Sequence, residues 1–301
     1  MENMDGIGQK RKYPTDNIAM VMLLVASLAV AYLITYSRYA GPRKAGAQIV
    51  TQIKRKGISS FLDEHSRQSF FVIKDQKARP VGFTMDVFSD TPADNRFPIS
   101  SAGLVYMRPT HQRPSWEQLA LFRCDDSFNE FLWKSETVRS GERTAADIIL
   151  GPDGMLTITQ LGPKRQRQEY RPDPALMPDF LIEMLFTEIL GSRHKKIIVE
   201  TITAEGKARE LAVSKTRRTD SDPPPAEAEY VLNVAFRDKP GFFQKVYFDN
   251  QGRISLISLM QDGLYFLERT SFEAVLRQFP ERANLILRRK ELLDSSYRSN
   301  R

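Results

Sequence analysis

FQKVYFDNQGRISLISLM, residues 243–260, decides how the chain is read. Two runs rich in aromatic and β-branched residues flank Asp249-Asn250-Gln251-Gly252. Asp and Asn side chains bond back to their own backbone, and Gly supplies positive φ, so the four residues make a turn and the flanks pair as an antiparallel hairpin. The same figure occurs earlier. Ile148-Ile149-Leu150, the turn Gly151-Pro152-Asp153-Gly154, then Leu156-Thr157-Ile158 repeat it at an offset of 98 residues. The rhyme fits an internal duplication, and equally one continuous antiparallel sheet whose hairpins look alike.

Working outward, strand signals continue in both directions. Phe70–Ile73 and Val81–Phe88 read as strands around a turn at Asp75–Pro80, followed by Leu104–Met107, Leu119–Phe122, Phe131–Lys134 and Ala146–Leu150. Residues 163–170 read as a polar loop. Asp173 and Pro174 then open a helix carrying Phe180, Leu181, Ile182, Leu185, Phe186 and Ile189, which Gly191 ends. Lys195–Thr203 and Arg209–Lys215 form a further hairpin, and the proline-containing stretch 217–227 reads as a loop. Tyr230–Phe236 alternates, Leu264–Glu268 closes the series, and Ser271 caps a helix with Phe272, Val275, Leu276 and Phe279.

Ahead of this body, Ile18–Tyr36 (IAMVMLLVASLAVAYLITY) is nineteen residues without a charge. As a helix it spans about 28 Å, close to the roughly 30 Å hydrocarbon thickness of a bilayer. A buried core helix seldom lacks charge on every face. A signal peptide would use Lys10-Arg11-Lys12 and the small-x-small pattern Ala29-Val30-Ala31, but the apolar run continues through Leu33 and Ile34. The expectation is a permanent single-pass anchor. Arg38, Arg43, Lys44, Lys54, Arg55 and Lys56 follow it. Read literally, that charge places the large domain in the cytoplasm. Long domains translocate largely regardless of charge, however, and the tight N-terminal cluster suits a bulk domain in the cell envelope, outside the cytoplasm. The latter is the expectation carried forward.

The expected fold class is α+β: one transmembrane helix, then a mainly antiparallel, curved β-sheet with packed helices. The expected divisions are a tail over 1–17, the transmembrane helix over 18–37 and an amphipathic juxtamembrane helix over 38–66. A β-rich unit over 67–192 follows, then a second over 193–285 and a charged tail over 286–301. Gly57 is the expected break in the juxtamembrane helix, and Lys54, Arg55 and Lys56 are candidates for contact with anionic lipid.

The strand-hairpin Val72-Ile73-Lys74 to Val81-Gly82-Phe83, with the element order over residues 45–285, resembles extracytoplasmic half-barrel proteins of the lipoprotein-carrier type. The resemblance implies a curved sheet whose concave face holds an acyl chain or a partner. It carries no binding residue with it, and an anchor in place of a cleaved signal departs from a shuttling carrier.

Composition narrows the chemistry further. The chain carries 44 Lys+Arg and 37 Asp+Glu, a formal charge of +7, with one Cys and 3 His. A lone cysteine forms no intramolecular disulfide. Cys124 stands before Asp125 and Asp126, carboxylates that raise a thiol pKa and oppose a nucleophilic role. His65, His111 and His194 fall in no metal spacing, and Asp63-Glu64-His65 reads as a helix end. Serines occupy no nucleophile elbow, and no glycine-rich phosphate loop follows a strand. The basic clusters at 164–167, 193–196, 215–218 and 288–290 lack the interleaved aromatics of a nucleic-acid platform, so nucleic acid is not expected. The expectation is therefore a non-enzymatic domain without catalytic residues, cofactor or metal. It would bind a lipid-like ligand or an envelope protein, with Phe83, Phe88, Tyr247 and Tyr265 as the candidate face. The alternative is a structural or assembly subunit of a membrane complex. An open apolar cavity favours the first; a filled interior with a free strand edge or an exposed apolar patch favours the second. The sequence sets no oligomeric state.

Overall fold

The computed structural model describes residues 14–64, 68–89, 95–106, 114–162, 165–219, 229–239, 243–260 and 264–295, with backbone alone for 14–21 and 63–64. Met107, His65, His111, Lys164 and most of the 217–227 loop, all singled out by the sequence, lie outside the described residues. The chain divides into two units, before and after the Pro42–Arg43 bond.

The first unit holds α1 (Pro14–Thr35) and a π-helical turn over Tyr36–Ala40. Helix is expected here because the run is free of Gly and Pro after its first residue. Met22, Leu23, Leu24, Val25, Leu28, Leu33 and Ile34 are all exposed. Among the described residues one helical stretch is long and apolar enough to cross a membrane, and its most apolar window packs against no protein.

The second unit is built on one sheet. Its strands are β1 (Gln68–Lys74), β2 (Pro80–Phe88), β3 (Phe97–Val105), β4 (Trp116–Cys124), β5 (Phe131–Arg139), β6 (Glu142–Leu150), β7 (Leu156–Leu161) and β8 (Gln166–Tyr170). Then come β9 (Leu176–Pro178), β10 (Lys196–Ile202), β11 (Ala208–Arg217), β12 (Tyr230–Phe236), β13 (Phe243–Phe248), β14 (Ile254–Met260) and β15 (Leu264–Thr270). The order across the 15-stranded sheet is β8-β7-β6-β5-β4-β3-β2-β1-β15-β14-β13-β12-β11-β10-β9. Two antiparallel meanders therefore run outward from a central seam where β1 meets β15. The pairing of β9 with β10 is parallel. The sheet curls until its arms approach. The β10–β11 turn reaches the far arm, where the Ser135 hydroxyl donates to the Ala204 carbonyl and Gln160 Nε2 to the Glu205 carbonyl at 3.0 Å.

The interior is filled by the chain's own helices, α2 (Gly41–Glu64) and α3 (Ile182–Gly191). Ile49, Val50, Ile53, Ile58 and Leu62 of α2 and Leu185, Phe186 and Ile189 of α3 join Phe122, Trp133, Ile148, Val213 and Phe248 of the inner face in one core. Each such burial is worth roughly 1.5–3 kcal/mol. The helix expected beside the membrane therefore has its apolar stripe in the protein core. Two glycines permit this. Gly46 lets α2 lie against the Ile198 carbonyl of β10, where a Cβ would overlap it. Gly57, at φ 80, breaks the helix as expected. The helix restarts with Ile58 N donating to the Asp126 carbonyl at 2.9 Å and Ser59 N donating to Asp126 Oδ1 at 2.8 Å.

On the convex side, α4 (Phe272–Gln278) and α5 (Ala283–Ser295) cover the central strands. Val275, Phe279, Ile286 and Leu293 pack on Phe70, Val72, Phe83, Met85 and Leu104. Strands covered on both faces read as unbroken apolar runs, and β1 is buried at each of its five inner positions.

Several expectations are corrected. Residues 286–295 of the expected charged tail belong to α5, with Ile286 and Leu293 seven apart on one face, and 296–301 lie outside the described residues. The 163–170 loop contains β8, an edge strand made of QRQEY with no apolar alternation to reveal it. The helix expected from Pro174 starts only at Ile182, after β9 and a 3₁₀ turn over Asp179–Leu181. The expected boundary at 192/193 falls inside one sheet and one compact unit.

Candidate functional site

Register places a row of small and polar residues across the inner face. Ser69 pairs with Asp86, Asp86 with Ser101, Ser101 with Ala120, Ala120 with Ser135 and Ser135 with Ala146. Short side chains along one line leave space, and the segment entering α3 crosses over it. Between them lies a cavity of about 180 Å³ lined by Ser69, Asp86, Ser101, Gln118, Trp133, Asp179, Phe180 and Glu183. Phe180 stacks on Phe122 at 5.5 Å and meets Trp133 edge-on at 5.7 Å, which fixes the crossing segment at one wall.

Three carboxyl groups face this space. Asp86 accepts from the Ser69 hydroxyl at 3.5 Å. The side chains of Asp179 and Glu183 have no hydrogen-bond or ion-pair partner among the described residues. Asp179 is exposed and lines the cavity. Removal from bulk water pushes Asp86 up to about 6, with the Ser101 and Ser69 hydrogen bonds and Arg269 pulling the other way. It pushes Asp179 to about 6, with Glu205 adding repulsion. Glu183 rises to about 7 through desolvation first, then the Asp86 charge, with Arg269 opposing. The Trp133 indole nitrogen is buried without a hydrogen-bond partner. Among the described residues no group of three or more His, Cys, Asp or Glu is placed to hold a metal ion.

A second, larger space lies on the convex face. A groove of about 530 Å³ runs between the C-terminal half of α5 and the outer side of β3–β6. Leu119, Leu121, Ala145, Leu292 and Leu293 line it, with Lys134 and Glu136 at its edge. Glu136 pairs with Arg143 at 2.6 Å. The Lys134 ammonium is exposed and has no ion-pair partner among the described residues.

The sequence's candidate face does not assemble. Phe88 lines the inner core, while Phe83 sits on the opposite side of the sheet against Phe279, with ring centroids 5.7 Å apart. Tyr247 packs with Val231 and Leu256 in a third cluster, and Tyr265 is half-buried on β15. Alternation along β2 puts Phe83 and Phe88, five apart, on opposite faces, a parity the sequence already contained. Nor do Lys54, Arg55 and Lys56 form one free patch. Lys54 lies 5.2 Å from the Phe128 ring centroid, and burial lowers its pKa. Lys56 pairs with Glu188 at 2.7 Å, leaving Arg55 as an exposed member. Three of the four basic clusters each have a member held in an ion pair: Arg167 with Glu169, Arg217 with Glu229 and Arg289 with Glu117. Cys124 is fully buried, and desolvation with Asp125 and Asp126 raises its thiol well above the ordinary value. The sequence reading missed Asp86, Asp179 and Glu183. The available signal was an acid inside the mostly apolar strand Val81–Phe88, with Asp179 and Glu183 four apart beside an apolar helix stripe.

Comparison with protein families and with curated proteins finds no match. Among solved structures, the chain is similar to a β-barrel-like protein of the domain-of-unknown-function family DUF1849 from Brucella abortus. The identity is 12% and the TM-score 0.47, over 68% of this chain and 95% of that one. A DUF1089 family protein from Pseudomonas aeruginosa aligns at 10% identity and a TM-score of 0.30, over 57% of this chain and 87% of that one. The chain's own geometry gives the fold: an α+β protein with a large, curved, mostly antiparallel sheet.

Proposed function

We propose that this chain is a membrane-tethered, non-catalytic domain that binds an amphiphile with an apolar chain and an anionic head, in the convex-face groove beside α5. The observation that carries the reading is the groove itself. Its volume of about 530 Å³ lies within the range of about 300–1,000 Å³ usual for ligand sites. Its walls are leucine-rich, and the Lys134 ammonium, without an ion-pair partner among the described residues, lines it to meet an anionic head group. The uncharged run of α1 supports the tether, with the large unit on the envelope side of the membrane. The concave face is not the place for a lipid-like ligand, because α2 and α3 already occupy it.

A second reading has its own observation. Strand β8 ends the sheet, its residues Gln166–Glu169 are exposed, and among the described residues no strand pairs with its outer edge. A structural or assembly subunit would use that edge. The test takes the full chain in mild detergent and titrates a fluorescent long-chain fatty acid. Leu121→Glu, which puts a charge into the groove, is expected to abolish binding. Lys134→Glu is expected to weaken it about tenfold, equivalent to about 1.4 kcal/mol, and to leave a neutral-headed analogue unaffected. Absence of fatty-acid binding, with a partner protein lost on disruption of β8, makes the assembly reading the correct one.

A further inference from the structure

We propose that the internal carboxyl cavity is a proton-operated latch between the segment entering α3 and the inner face of the sheet, closed when its acids are neutral and loosened when they ionise. Asp86 is fixed on β2 between Ser69 and Ser101. Asp179 and Glu183 belong to the crossing segment, and both line the cavity. The remaining groups facing the cavity from β1, β3, β4 and β5 are Ser69, Ser101, Gln118 and Trp133, none of them charged. Beyond its lining, Arg269 of β15 is the cation that acts on Asp86 and Glu183, and Glu205 of the β10–β11 turn adds a further negative charge near Asp179. Negative groups thus outnumber the positive one. With no donor for the Asp179 or Glu183 side chain among the described residues, ionisation sets Glu183 against Asp86 and Asp179 against Glu205.

The direction of the effect follows from linkage. The folded acids hold their protons to about 6 or 7, above the values near 4 of unfolded carboxylates. The contribution is therefore fully present below about pH 4 and is lost as pH rises through about 6–7. Release falls first on the crossing segment, because β2 is held by ladders on both sides and the 3₁₀ turn and first turn of α3 are not. The device is independent of the convex groove and of what binds there.

The experiment is amide hydrogen exchange on the full chain in detergent at pH 5.5 and 8, corrected for intrinsic exchange. Residues 179–191 are compared with β10. Protection of 179–191 is expected to drop at least tenfold relative to β10 at the higher pH. Glu183→Gln and Asp86→Asn are expected to reduce that drop, singly and further in combination. Should the double variant fail to fold, each single variant gives the same readout. A ratio independent of pH in the unmodified chain, or variants that keep the full pH dependence, overturns the latch.

Discussion

Asp126 shows what a single residue does in this fold. In the sequence it stands two residues after Cys124, where its charge opposes a reactive thiol. In the fold it caps the second half of α2, accepting from the Ser59 amide and, at 3.1 Å, from the Ser59 hydroxyl. Its neighbour Asp125 holds the β4–β5 turn by accepting from the Glu130 amide at 2.7 Å. Loss of a cap costs about 0.5–2 kcal/mol. Asp126→Ala is therefore expected to lower the melting temperature by about 1–8 °C, and Asp126→Asn, itself a good cap, by less. Thermal unfolding of the two variants checks this, and equal melting temperatures count against the cap. Cys124, buried and held as a thiol, is expected to react with a maleimide no faster than the domain opens. Labelling rates along a denaturant series, compared with the unfolding rate, test that.

At the scale of the element, α2 and α5 show how packing overrides local appearance. Each carries charge on its exposed side and is pinned by a few apolar residues. Gly46→Val is expected to destabilise by about 1–3 kcal/mol or more, since overpacking against the Ile198 backbone has no soft side chain to yield. Lys44→Ala, on the exposed side of the same helix, is expected to be neutral. Leu293→Ala in α5 is expected to cost about 2–5 kcal/mol, where a solvated tail would show no effect. Chemical denaturation of the three variants separates these outcomes.

For the whole molecule, the order of strands predicts cooperativity. With both meanders joined at the β1–β15 seam and sharing one core, the large unit is expected to unfold in a single calorimetric transition whose van't Hoff and calorimetric enthalpies agree. Two transitions would restore the pair of β-rich units read from the sequence. The same scale carries the pH dependence. Because the three cavity acids bind protons more tightly when folded, the melting temperature of the full chain is expected to fall between pH 5 and 7.5. The fall is expected to be shallower in Asp86→Asn. A calorimetric pH series decides it.

Periodicity along the chain determined most of the strands, the hairpin turns, the break at Gly57 and the apolar run of α1, since each depends on neighbours a few residues apart. It did not reveal β8, whose alternation is polar on both faces, or the late start of α3, where Leu176–Pro178 is captured by β10 as an edge strand. Tertiary structure alone decided that α2 fills the sheet it precedes and that α5 roofs the convex side. It also decided that the four aromatics of the expected face divide among separate packing environments. The acid cavity belongs to the same class. Asp86, Asp179 and Glu183 come from a strand and a crossing segment about a hundred residues away, and only the curl of the sheet brings them to one cavity whose surroundings raise their carboxyl pKa values.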